Sequence, residues 1–264
     1  MSTIGSLKFA VPLIMTLAVC ACRPEVTHPP RACMTLGADG GAWPSPHNTL
    51  GQTEKAVGDD QLKWPIEVAL VVRFLDGTEW QHDEVRKHAY TWTKATRGKI
   101  RFTYLTVEDA GPSDMRITFD TNESKSRVGT NATNYPDTAT MWLGWVTSAQ
   151  ADEDYRQIQS VILHEFGHAL GLNHEHQHPE ASIPWDVEAV YKYYADHDKW
   201  RRGQVDTNIF MHYTGVHDVH IGYDKLSIMH YWIPDTLTIG NLEIPATVSL
   251  SDSDVVFIRR LYGI

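Results

Sequence analysis

The chain reads as an α/β (α+β) protein: a sheet-and-helix half, then an irregular half closed by a C-terminal helix. Three features lead there. Between Trp64 and Leu170, short β-branched and aromatic runs alternate with two amphipathic stretches, the order that builds a sheet covered by helices. Beyond Leu172 the periodic runs thin out into a loop-rich half. Near the end, Ser251 and Asp254 form a capping box ahead of Val255, Ile258 and Leu261 at helical spacing.

Composition bounds the rest. With 264 residues, 42% hydrophobic and 21% charged, the chain has the profile of a folded protein and not of a disordered one. A formal charge of -10, from 33 acidic and 23 basic side chains, offers no basic face, so no nucleic-acid partner is expected.

Elements follow in order. Ile66 to Leu75 is a β-forming run ending at the turn signal Asp76-Gly77, and Trp80 to Thr93 places Val85, Ala89 and Trp92 at helical spacing. Ile100 to Leu105 and Met115 to Phe119 read as strands, followed by a Gly- and Asn-containing loop through Gly129 and Pro136. Thr140 to Val146 reads as a further strand, placed at a sheet edge because Gly144 weakens it. Tyr155 to Leu170 is helical, with Ile158, Ile162, Phe166 and Ala169 on one stripe and Gly171 at the C-terminal cap; Trp185 to Tyr194 is helical again.

The N-terminus reads as an export signal over residues 1–21: Lys8 precedes an apolar run from Phe9 to Cys22, too short for the roughly 20 residues that span a bilayer. Val19, Cys20 and Ala21 resemble a bacterial lipoprotein box, so Cys22 is a candidate for acylation and membrane tethering, whereas ordinary cleavage would release the protein. The expected location is outside the cytoplasm, secreted or anchored at the cell surface or periplasm. Residues 22–55 are rich in Pro, Gly, Thr and Ala and read as a linker or short pro-segment. Residues 56–264 form the expected catalytic domain, with an upper lobe to about 172 and a lower lobe from 173 to 264. No cysteine follows Cys33, so this domain must hold together on its core alone.

The chemistry concentrates in His164-Glu165-Phe166-Gly167-His168-Ala169-Leu170-Gly171-Leu172-Asn173-His174-Glu175. On a helix, His164 and His168 leave the same face one turn apart, close enough for both to bind one Zn²⁺. Glu165 lies about 100° round the helix, suited to reach a metal-bound water as general base and poorly placed as a ligand. Gly171 permits the left-handed exit that brings His174 back as third ligand. Three His ligands leave an open coordination position, which separates a catalytic zinc site from a structural one. His176, His178, His212, His217 and His220 read as solvated loop histidines.

Downstream, Ser227-Ile228-Met229-His230-Tyr231 is similar to the Met-turn of the metzincins. Together with Glu175 directly after the third His and Tyr231 two residues after Met229, it makes the chain resemble the astacin family of zinc metallopeptidases, from about Trp64-Pro65 to Leu261-Tyr262. The resemblance implies a zincin/metzincin fold with a mixed twisted sheet and an antiparallel edge strand. It implies one zinc per subunit on His164, His168 and His174, with Glu165 activating the water. Tyr231 would be a labile further ligand that swings to the oxyanion, Met229 an apolar floor, and Glu175 a structural anchor pairing with the mature N-terminus or a bridging group. Thr140, Met141, Trp142, Leu143, Gly144 and Trp145 would be the edge strand that aligns an extended protein or peptide substrate. The implied activity is endoproteolysis, by a monomer. The absence of disulfides after Cys33 likens the chain to the leaner microbial members, and Asp39 and Cys33 are the only candidates for a zinc-plugging pro-segment residue.

Two other classes fit less well. A surface-tethered binding protein that keeps metal for structure needs no general base beside its ligands, and a metal-scavenging lipoprotein using His174 to His178 would hold more than one tight metal per chain.

Overall fold

A computed structural model of the chain describes residues 34–36, 58–149, 152–213, 218–219 and 221–264. The export signal, Cys22, Cys33, Asp39, His217 and His220 lie outside these residues. The described residues belong to one compact unit, Arg31–Ile264.

The main sheet has six strands: β1 (Met34–Leu36), β3 (Val68–Phe74), β4 (Ile100–Leu105), β5 (Met115–Thr118), β6 (Ser124–Arg127) and β7 (Met141–Leu143), in the spatial order β1-β6-β7-β5-β3-β4. β3 pairs in parallel with β4 and β5, β5 in parallel with β7, and β6 runs antiparallel to β7. A separate ribbon joins β2 (Gly58–Asp59) to β8 (Asp218–Val219). Along β3, Leu70, Val72 and Phe74 are buried while Val71 and Arg73 are only partly covered, so helices cover one face of the sheet. Those helices are α1 (Glu79–Ala95) and α2 (Asp152–Ala169), which pack on each other, with α2 also against β6 and β7. Thr78 and Gln81 form a capping box at the start of α1. Three acidic residues, Asp152, Glu153 and Asp154, extend the first turn of α2 three residues ahead of the stretch read from the sequence.

The later half contains α3 (Val187–His197), the short α4 (Arg202–Val205) running into a π-helical turn over Asp206–Phe210, and α5 (Asp252–Tyr262). Its own apolar cluster includes Val190, Tyr194, Trp200, Val205, Ile209, Tyr231 and Ile233. Ile228, Met229 and the α5 residues Phe257, Ile258 and Leu261 instead join the larger core of the sheet half. The two cores therefore interleave in sequence beyond residue 173, and the Met-turn bridges them. Among the described residues no helix is long and apolar enough to cross a membrane.

Two expectations need correction. The stretch Thr140–Trp145 is not a sheet edge, because β7 lies between β5 and β6. Gly144 is present because the Thr121 carbonyl oxygen passes where its Cβ would stand, a close backbone approach instead of a weakened strand. The Gly- and Asn-containing loop before it holds β6 and a 3₁₀ turn over Gly129–Asn134. With the sequence Ser-Lys-Ser-Arg, β6 has no apolar alternation to read; its Ser124 and Ser126 are buried by α2 and by β7.

Gly144→Ala is expected to destabilise the fold by about 2–3 kcal/mol, since a methyl group would have to displace the Thr121 backbone. Gly203→Ala, where a Cβ meets nothing within 4 Å, is the control and should leave stability unchanged or slightly raised. Urea unfolding of both variants measures the difference, and equal midpoints would contradict the close approach.

Candidate active site

The site begins where α2 stops. Gly171, at φ +98°, occupies the left-handed position of a Schellman ending: Leu172 N–H donates to Gly167 O (3.0 Å) and Gly171 N–H to His168 O (2.8 Å). The carbonyls left over at the helix end are also paired. Trp64 Nε1 donates to Ala169 O at 2.7 Å and Tyr262 Oη to Leu170 O at 2.9 Å. Asp59 N–H reaches Gly171 O (3.2 Å), and Gly58 bridges Leu172, so the residues past the turn are held from the N-terminal side.

This turn sends the chain back along the helix and delivers His174 to His164 and His168. The candidate ligand atoms of the three histidines all lie within 4.8 Å of one another, and all three side chains are buried. Nδ1 of His164 lies 2.8 Å from Ile228 O and Nδ1 of His168 lies 2.8 Å from Leu172 O. A carbonyl only accepts, so Nδ1 carries the proton and Nε2 presents its lone pair in both rings. His164 Nε2 is buried with no hydrogen-bond partner, and His168 Nε2 stands 3.0 Å from His174 Nε2. That separation is near the about 3.3 Å that tetrahedral geometry gives two nitrogens bound at zinc distances. Burial holds all three imidazoles below their ordinary range, His164 at about 4, so each is neutral at pH 7 as a ligand must be. An orphaned lone pair, fixed tautomers and three converging nitrogens fit a zinc ion.

Glu165, next to His164 on α2, is almost fully buried. Met229 is completely buried, its thioether packed onto the α2 backbone at Gly167, behind the ligands. Its turn is closed by His230 N–H donating to Ser227 O (3.1 Å). Asp254 braces that turn from α5: Oδ1 accepts from Ser227 Oγ (2.6 Å), while Oδ2 accepts from the N–H groups of Ile228 and Ser251 (2.8 Å each). The capping-box residue read from the sequence thus also holds the loop whose Ile228 carbonyl orients His164, a long-range link with no local signal.

Glu175 N–H donates to Met229 O (3.0 Å), and Glu175 Oε1 accepts from Asp224 N–H (2.7 Å). Burial, with Asp254 and Asp224 nearby, pushes its carboxyl up to about 9. It lines a small pocket together with Ile221, Gly222, Asp224, Ser227 and Asp254. Tyr231 is buried against the ligands, its ring centroid 4.5 Å from that of His174 and 6.2 Å from that of His164.

Of the three histidines expected in solvent that the structure describes, His176 and His178 are buried at 1% and 0% exposure, and His212 is partly open. The 3₁₀ turn over Glu175–Gln177 drives them inward. His176 Nε2 lies 2.9 Å from Asn208 O, and Gln177 Nε2 donates to Thr207 O (2.8 Å) and Met211 O (3.0 Å). Polarity alone hid the burial of His176, since its partner is a main-chain carbonyl of a π-helical turn 32 residues away.

No protein-family profile matches the sequence, and no curated protein matches it. Solved structures do. A structure of myroilysin, an astacin-family metalloprotease, is 33% identical and superposes with a TM-score of 0.72, covering 79% of this chain and 98% of that one. A second myroilysin crystal structure is 34% identical at a TM-score of 0.58, covering 77% and 86%. The hatching enzyme zinc-protease of the medaka fish Oryzias latipes, at 19% identity and a TM-score of 0.51 over 77% of this chain and 96% of that one, shares the fold. The chain belongs to the astacin family of zinc metallopeptidases, hydrolases that cut peptide bonds with zinc as cofactor.

Chelating the metal is expected to lower the unfolding temperature, because zinc binds only the folded site; at a thousandfold excess over Kd it contributes about 4 kcal/mol. Calorimetry with and without chelator, then with zinc restored, measures this, and an unchanged temperature would count against the site. Asp254→Ala should destabilise the fold by about 3 kcal/mol and weaken zinc binding by about tenfold or more, since three donors lose their acceptor and the Met-turn loses its brace.

Proposed function

We propose that this zinc endopeptidase works with Glu165 as general base and Tyr231 as oxyanion donor, on peptides bound in extended form outside the cytoplasm. The observation that carries the reading is the convergence of His164, His168 and His174 with a buried carboxylate, Glu165, one residue from the first ligand and a phenol, Tyr231, packed against the third. When bound by the three histidines, zinc supplies Lewis acidity to the scissile carbonyl and lowers the pKa of a bound water from 15.7 toward about 7.

The chain does the remainder. Glu165 accepts a proton from the attacking water and passes it to the leaving nitrogen, work that needs a carboxylate beside the ligands and outside the ligand set. Tyr231 donates its hydroxyl hydrogen to the oxyanion, and such a donor is typically worth about 3 kcal/mol. Met229 keeps the floor beneath the ligands dry and apolar, and Glu175 ties the third ligand to the loop at Asp224. Substrate alignment passes from β7 to β6, the antiparallel strand beside α2. Residues 34–36 pair in parallel along its other side, so an extended peptide and this N-terminal stretch compete for one edge. Export through residues 1–21, with Cys22 as an acylated tether, and a monomeric state complete the proposal.

Tests use the full chain and a quenched peptide library. Glu165→Gln should lower kcat/KM by about 10² or more while keeping one zinc, and Tyr231→Phe by about 10². If wild type fails to cleave although zinc is bound, the binding-protein alternative takes its place; more than one tight zinc per chain would favour metal scavenging. Deleting residues 22–55 should raise kcat/KM by freeing β6, and no change would dismiss the competition.

A further inference from the structure

We infer that His176 is a positioning residue for Tyr231: its imidazole, clamped to the main chain of Asn208, is the platform that holds the phenol ring beside His174. The inference rests on the reading of Tyr231 as oxyanion donor.

Tyr231 touches three imidazoles. Two belong to the ligand set, His164 at 6.2 Å and 35° and His174 at 4.5 Å and 60° between ring planes. The third, His176, lies nearest, with centroids 4.3 Å apart and planes at 27°, the stacked member of the trio. A stacked neighbour leaves Tyr231 able to slide in the ring plane while preventing it from tipping, which is the restraint a phenol needs if its hydroxyl is to reach a developing charge.

His176 is itself immobilised. Asn208 O accepts from its Nε2–H at 2.9 Å, and Asn208 is held in turn by Nδ2 donating to Gln204 O at 2.8 Å. Asn208 sits in the π-helical turn Asp206–Phe210, closed by Met211 N–H donating to Asp206 O at 2.8 Å, and the adjacent Gln177 is pinned to the same turn. The imidazole is 1% exposed and its Nδ1 is buried without a hydrogen-bond partner. A side chain kept only for packing would shed that orphaned acceptor, as Phe or Leu does. Histidine combines an aromatic face for Tyr231 with a ring N–H that fixes the face's rotation.

The experiment compares His176→Ala, His176→Gln and His176→Phe, each in wild-type and Tyr231→Phe backgrounds, reading kcat, KM and zinc content on one peptide. His176→Ala should lower kcat about tenfold with KM within twofold and one zinc retained. His176→Phe, which keeps the face, should recover more of kcat than His176→Gln, which keeps only the hydrogen bond to Asn208. In the Tyr231→Phe background His176→Ala should cost less than twofold more, because its effect runs through the phenol. Full-strength loss in that background, zinc loss on its own, or Gln outperforming Phe would overturn the inference and leave the Tyr231 reading intact. A Tyr231→Phe variant with undiminished kcat would instead remove that reading, and the inference with it.

Discussion

The left-handed turn at Gly171 is the constraint on which the rest of the site depends. A helix by itself can offer His164 and His168 to one metal, but their partner must come from chain that has reversed direction within a few residues. The Schellman hydrogen bonds from Gly171 and Leu172 make that reversal, and only a residue tolerant of φ +98° permits it. Trp64, Tyr262 and Asp59 then take up the carbonyls that the abrupt ending leaves behind. These three come from the start and the end of the described domain, so the ligand geometry is tied to the closure of that domain around α2. This offers a physical reason why a domain with no cysteine beyond Cys33 can keep a rigid metal site: its terminal segments are fastened to the active-site helix by buried hydrogen bonds.

The second half of the site is held the same way from the other side. Asp254 gathers Ser227 and Ile228, Ile228 O orients His164, and Met229 O accepts from Glu175 N–H beside the third ligand. One carboxylate on α5 therefore reaches two of the three histidines through two turns of main chain. Met229 joins the core of the sheet half while Tyr231, two residues on, joins the core of the later half. The loop between them lies on the seam, so the floor beneath the ligands and the phenol beside them are carried by different packing units.

Much of this was legible in the sequence where the signal is local. The ligand spacing, the glycine cap, the α5 capping box, and the strands over Ile100–Leu105 and Met115–Thr118 all depend on residues close in the chain, and each lies close to where periodicity placed it. What stayed hidden is non-local. The sequence Ser-Lys-Ser-Arg shows no strand pattern, because β6 is defined by its neighbours β7 and α2 and not by its own apolar side chains. By sequence Gly144 reads as the mark of a weak edge strand, whereas it is there because the Thr121 backbone crosses close by. His176 and His178 look like solvent residues, but His176 Nε2 donates to Asn208 O in the π-helical turn, and His178 is held where its own carbonyl accepts from the His212 ring. The double duty of Asp254, cap and brace, depends on a contact 26 to 27 residues away.

Burial sets the electrical character of the site as well as its shape. Four neighbouring imidazoles, His164, His168, His174 and His176, are all held well below the ordinary histidine range by loss of water, and the carboxyl of Glu175 is held far above its own. Both shifts favour the uncharged form, so the protein assembles a region of low polarity in which few formal charges survive. A divalent cation introduced there meets neutral nitrogen donors and the carboxylate of Glu165, with little solvent to screen it. The same dryness that makes an unpaired charge costly strengthens the pull of that cation on a carbonyl and the hydrogen bond from Tyr231. Packing, tautomer control and catalysis are in this sense one arrangement: the carbonyls of Ile228 and Leu172 can fix imidazole protons only because water is kept away from them.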